Sequence, residues 1–183
     1  MILIFFIKFF DPTFSVGNDY AVLAAQKVKF QYHIGIFPFE GFFTLRDSIF
    51  VINFKEPSTS TLRLEIDLNA SSAGFLLATN AMLGKSILYA ERYPNITFES
   101  KSVIVKGHEF KIMGDATIRG ITKEITLLAK LRNPEILKSK DKNNLKFQII
   151  AKFNRSDFNA TGYGNFVGDV IELNSIVDLV TKD

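Results

Sequence analysis

His33 and His108 are the only histidines in the chain, and cysteine is absent. The missing cysteine removes disulfides, thiol nucleophiles, thiolate metal sites and iron–sulfur clusters in one step. Two imidazoles give almost no raw material for a histidine-rich metal centre or a paired acid–base mechanism. His33 falls on the polar side of an alternating segment and His108 in a turn, the usual settings of surface histidines. No Gly-x-Ser-x-Gly elbow, phosphate loop, Gly-x-Gly-x-x-Gly or His-Glu-x-x-His occurs. Glu65 and Asp67 would share one face of a strand, but they oppose leucines, which marks a solvated outer face. The remaining polar cluster is Arg155-Ser156-Asp157, in a Gly- and Asn-rich stretch running to Gly168. It reads either as a rim loop or as an ordinary hairpin tip. These residues point away from an enzyme, and no metal or cofactor is expected.

What the sequence supplies instead is apolar bulk. Of 183 residues, 47% are hydrophobic and 22% charged, and 19 are phenylalanine with no tryptophan. That balance is globular, and the length suits one domain. A formal net charge of +3 is too small to argue for nucleic acid. Aromatic and charged residues alternate and do not share a face, which places the rings in a core or cavity.

Period-two alternation dominates the chain and marks half-buried strands. Val28, Phe30, Tyr32 and Ile34 share one face, as do Leu62, Leu64, Ile66 and Leu68. Ile96 and Phe98 begin another strand, then Phe110 to Ile118, Ile125 to Leu131, Leu145 to Phe153 and Ile171 to Leu179. With Phe42 to Leu45 and Ile49 to Phe54 there are eight or more. Turns are expected at Arg46-Asp47-Ser48, Lys106-Gly107-His108, Arg119-Gly120 and from Lys138 to Asn144. One segment breaks the rhythm. Met82, Leu83, Ile87 and Leu88 recur at helical spacing, predicting a short helix over Thr79 to Ala90 that Pro94 cannot extend. Short connections make the strands antiparallel. Their shared apolar face must be covered by a sandwich or a closed barrel, and the long hairpins favour the barrel.

Residues Met1 to Phe10, MILIFFIKFF, are too short for a membrane span. Followed by Ser15-Val16-Gly17, they read as a secretory signal over residues 1–17, with the mature domain at 18–183.

Four linked motifs carry a family resemblance. Arg92-Tyr93-Pro94-Asn95-Ile96-Thr97-Phe98-Glu99-Ser100, Gly114 to Lys123, Asn154-Arg155-Ser156-Asp157-Phe158 and Val167-Gly168-Asp169-Val170 resemble, in order, the signature segments of the YceI-like family. Tyr20 and Gly41-x-Phe43 fit the start of its domain. The family's His-Ser pair near the first tyrosine is replaced around Ala25-Gln26-Lys27, and Asn159 stands where the family has glycine. The resemblance implies an all-β fold, a closed antiparallel lipocalin-like barrel of eight or slightly more strands with one short helix. It also implies an exported bacterial protein, periplasmic or secreted, that encloses a polyisoprenoid or the tail of an isoprenoid quinone.

On that basis the expected cavity lining is Phe30, Tyr32, Phe43, Leu64, Ile66, Phe98, Ile112, Phe147, Ile149 and Phe153. Ala151 would leave room between Ile149 and Phe153. Arg155, Asp157, Phe158 and Tyr163 are the candidates for the rim. The expected partners are the apolar isoprenoid itself, a membrane met transiently for lipid exchange, and a second copy of the chain. The alternative is the same fold with a filled centre, acting as a stress-response or interaction protein without lipid.

Overall fold

The computed structural model describes residues 18–22, 26–139 and 142–181. The expected signal segment lies outside them.

Among the described residues the chain forms nine strands: β1 (Asn18–Val22), β2 (Lys27–Ile34), β3 (Phe37–Ile52), β4 (Thr61–Ser72), β5 (Asn95–Lys106), β6 (Glu109–Ile118), β7 (Ile121–Leu131), β8 (Asn144–Asn154) and β9 (Val170–Thr181). One helix, α1 (Leu76–Leu83), lies between β4 and β5. Every pairing is antiparallel. The sheet closes because β1 and β2 share one position between β3 and β9. At one end β2 pairs with β3 from Lys27↔Thr44 to Ile34↔Phe37 and with β9 at Phe30↔Leu173 and Gln31↔Glu172. At the other end β1 takes over, with Tyr20↔Phe50 on β3 and Tyr20↔Thr181 on β9. The result is a barrel of eight staves, the closed form expected from the resemblance, and closure removes the two free edge strands of an open sheet.

Two expectations are corrected. Arg46-Asp47-Ser48 is no turn: β3 runs through it as one strand of 16 residues with a register shift between Leu45 and Asp47. A bulge interrupts alternation just as a turn does. The helix also starts and ends earlier than its periodicity suggested. Gly84 closes it, and the chain then folds back. The amides of Leu88 and Ala90 donate to the carbonyls of Met82 and Leu83 at 2.9 Å each. Ile87 and Leu88 thus return to the core from a loop. The turns at Gly107-His108 and Arg119-Gly120 stand as expected, the second with positive φ at both residues (53° and 74°).

The β3–β4 and β7–β8 connections lie at one end, where Ile136 and Leu137 pack on the core, and three further connections meet at the other end. These three are the β2–β3 turn, residues 73–94 between β4 and β5, and residues 155–169 between β8 and β9. Backbone bonds fasten these pieces together: Gly35 N–H to Phe166 O at 2.8 Å, Gly168 N–H to His33 O at 2.9 Å, and Gly162 N–H to Ser86 O at 2.8 Å. Together they form a cap whose inner side contributes Met82, Leu88, Ala90 and Phe158 to the core.

Candidate functional site

The barrel interior is apolar and incompletely filled. A void of about 80 Å³ lies in its middle, and among the described residues Thr97 is the only one of its lining with a polar side chain. A second void of about 40 Å³ lies nearer the opposite end, against Val103, Phe110, Ile112 and Phe147. Phe50, Leu62, Ile149 and Val177 border both and form the partition between them. The larger void is roughly half the ~150 Å³ of an apolar cavity that takes up benzene. A hydrocarbon chain of several isoprene units therefore needs the partition to move.

Six of the expected lining residues, Phe43, Leu64, Ile66, Phe98, Ile149 and Phe153, border the larger void. Ile112 and Phe147 border the smaller one. Phe30, Tyr32 and Ala151 are buried but touch neither. Phe30 stacks on Phe43 with ring centroids 4.3 Å apart, and the Tyr32 hydroxyl donates to Ala73 O at 2.9 Å. Burial pushes the Tyr32 phenol above its ordinary value. The sequence reading missed Leu45, Phe50, Leu62, Leu127 and Val177 as lining residues. Each lies on an inward face, but which inward side chains meet a void depends on strand tilt, which alternation does not encode.

The rim candidates separate into two pairs. Asp157 and Tyr163 are exposed, whereas Arg155 and Phe158 are buried. Phe158 ends a 3-10 turn (Arg155–Phe158) that lies against β7 and β8, and its ring meets Phe153 edge-on at 5.8 Å. Arg155 donates to Gly168 O at 2.9 Å, Val167 O at 2.8 Å, Gly162 O at 2.9 Å and also to Ala160 O. Desolvation lowers its pKa, the Asp169 carboxylate opposes that shift, and the four carbonyls replace lost water. Asp169 in turn accepts from Ser156 N–H at 2.9 Å and Ser156 Oγ at 2.7 Å. The polar cluster of the sequence is thus a scaffold for the cap.

The seam between β2 and β9 is closed largely by side chains. The Gln26 amide donates to Asp178 O at 3.2 Å and accepts from Asp178 N–H at 3.1 Å. Ser175 Oγ accepts from Lys29 N–H and donates to Lys27 O, both at 3.3 Å. Among the described residues no three His, Asp or Glu side chains converge on a metal site, and no helix is long and apolar enough to cross a membrane.

A closed antiparallel barrel with an apolar interior and a capped end defines the lipocalin-like class of protein. The chain belongs to the YceI-like family: the YceI-like domain matches residues 20–179. It is 30% identical over 99 residues to a UPF0312 protein of Yersinia pestis (strain Pestoides F), and 31% identical over 99 residues to Protein YceI of Salmonella arizonae. Each match covers 54% of this chain and 52% of the relative, so the match spans about half the length of these relatives.

Among solved structures, BcnA of Burkholderia cenocepacia matches with a TM-score of 0.71 at 19% identity, covering 85% of this chain and 96% of that one. The Campylobacter jejuni YCEI protein matches with a TM-score of 0.62 at 26% identity, covering 76% and 83%. A domain from Saccharophagus degradans, described as polyisoprenoid-binding and implicated in plant cell wall breakdown, matches at 0.62 and 11% identity, covering 89% and 98%.

Proposed function

We propose that this chain is a non-enzymatic carrier that shelters the apolar tail of an isoprenoid, a polyprenyl chain or an isoprenoid-quinone tail, inside its barrel. The observation that carries this reading is the partly empty interior walled by side chains with almost no polar group. Phenylalanine and branched aliphatic walls offer contact area without a polar atom to satisfy. Each methylene taken from water favours binding by about 0.8 kcal/mol before entropy losses. Family membership supports a binding barrel, and the polyisoprenoid-binding description of the Saccharophagus degradans domain supports an apolar lipid.

Export to the periplasm or medium belongs to the same proposal and draws on the hydrophobic segment before Asn18. Lipid exchange at a membrane and pairing of two copies are its remaining parts. The small size of the voids favours the second reading, a filled barrel acting through a protein partner. Organic extraction of the purified protein followed by mass spectrometry separates the two. The carrier reading expects a stoichiometric isoprenoid, or uptake of added quinone. A clean extract with no uptake overturns it.

A further inference from the structure

The outer side of the cap is as apolar as its inner side. Ile36 is 85% exposed, Leu76 and Leu77 75% each, and Phe166 69%. Phe37, Phe75 and Tyr163 are also exposed. Six of these seven residues come from the three connections that meet at the capped end, and Phe37 opens β3 beside them. Soluble proteins scatter single apolar residues, and a gathered patch of this kind marks a contact surface. The helix states the same fact locally. In α1, LLATNAML, Met82 is buried, Leu76 and Leu77 face outward, and no residue is charged. Two leucines exposed beside Asn80 on a helix that already buries Met82 leave apolar area for a second neighbour to cover.

We infer that this crown docks on a phospholipid bilayer, with the side chains of α1 and the two loop tips entering the interface. Two observations favour lipid. Ile36, Leu76, Leu77 and Phe166 stand almost clear of their surroundings, which suits a fluid that closes around each one. A protein partner would need a matching socket for every tip. The first cations after α1 also sit on aromatic rings. Lys85 Nζ lies 5.6 Å from the Tyr89 ring centroid, and the Arg92 guanidinium 5.4 Å from that of Tyr93. Cations and tyrosines beside an apolar surface suit the headgroup level, where phosphates meet the edge of the hydrocarbon. The inference deepens the carrier reading by naming the surface through which a cargo would pass.

The chain lacks cysteine, so a fluorophore can be attached at one position only. The full chain is labelled at Leu77→Cys, or at His108→Cys in a turn at the opposite end, and mixed with phosphatidylcholine vesicles that contain no isoprenoid. The inference expects the Leu77→Cys label to shift to the blue and become shielded from aqueous iodide, with the His108→Cys label unchanged. It expects the response to persist in high salt, because the seven side chains that enter the interface are uncharged. Leu76→Ser with Phe166→Ser should weaken the response of the Leu77→Cys label at least about tenfold, with the thermal midpoint preserved. Equal responses from both labels, or none, overturn the inference. So does a Leu77→Cys shift that depends on protein concentration without vesicles, which would make the crown a contact between copies. Because no isoprenoid is present, failure here leaves the extraction result standing on its own.

Discussion

The ring of Phe98 lies over Gly114, so close that a Cβ at position 114 would meet Phe98 Cζ at 2.7 Å and Ser100 Cα at 2.8 Å. Both residues belong to the motifs that carried the family resemblance, and β5 and β6 bring them together. Gly41 hosts the Phe30 ring in the same way on the other side of the barrel. A missing side chain on one strand lets a phenylalanine of its neighbour lie flat along the inner wall. That arrangement keeps the rings out of the centre and preserves space there.

Gly114→Ala therefore forces the Phe98 ring into the larger void or strains β6. Overpacking of this kind costs about 1–3 kcal/mol, and the crowded backbone of β5 puts the expected loss at the upper end. Gly164→Ala, whose nearest neighbour is Thr161 O at 3.3 Å, should cost well under half as much. Urea midpoints of the two variants check this. Equal midpoints would show that both the ring and the β5 backbone at Glu99 and Ser100 yield freely.

The cap should depend on Arg155 more than on any of its own apolar contacts. Arg155→Met leaves the carbonyls of Ala160, Gly162, Val167 and Gly168 without their shared donor. A loss of at least about 2 kcal/mol is expected, since a buried carbonyl left without its donor costs about 1–3 kcal/mol. Arg155→Lys should recover little, since an ammonium cannot present the planar fork. Limited proteolysis should cut first within 155–169. Cleavage elsewhere would mean that the loop is held by other contacts.

The strand pattern was legible because closure demands strict alternation, and each inward face named from the sequence points inward. The bulge at Asp47 was not legible, since its break in alternation matches that of a turn. The position of α1 escaped for a different reason. Leu76 and Leu77 face outward beside Asn80, so the helix lacks the clean polar side that periodicity relies on, and the apparent period came from Met82 and Leu83 together with Ile87 and Leu88 of the returning loop. Arg155 looked like a rim residue because charge is normally exposed. Only the loop geometry reveals four carbonyls converging on it.

Tyr32 makes stability fall at high pH. Its buried phenol has a raised pKa, against 10.0 for the free side chain. The unfolded chain therefore loses this proton first, and the stability that Tyr32 contributes below about pH 10 is lost as pH rises through the folded value. Tyr32→Phe removes the bond to Ala73 O and should cost about 1–2 kcal/mol at neutral pH. Its stability should then decline less steeply than that of the native protein above pH 10. Parallel alkaline limbs for the two proteins would count against the assignment.

The Gln26 amide substitutes for strand pairing where β1 hands over to β2, so Gln26→Ala should loosen the β2–β9 seam locally. The expected loss is about 1–2 kcal/mol for two hydrogen bonds. Hydrogen exchange should speed up at Asp178 and Lys29 ahead of the β5–β6 hairpin. Uniform acceleration across the barrel would indicate that the seam opens only with global unfolding.

The partition between the two voids governs how long a chain the barrel can hold. Phe50→Ala should join them, at a stability cost of about 3–5 kcal/mol, and favour longer isoprenoid alcohols over short ones. Ile149→Phe adds bulk at the same place and should lower uptake of every length, at a cost of about 1–3 kcal/mol. Fluorescence displacement with alcohols of two, four and eight isoprene units measures both effects. If the two variants take up all three lengths as the native protein does, the tail does not pass Phe50 and Ile149. Any cargo would then lie between the larger void and the cap, beside Phe43, Ile66 and Phe153.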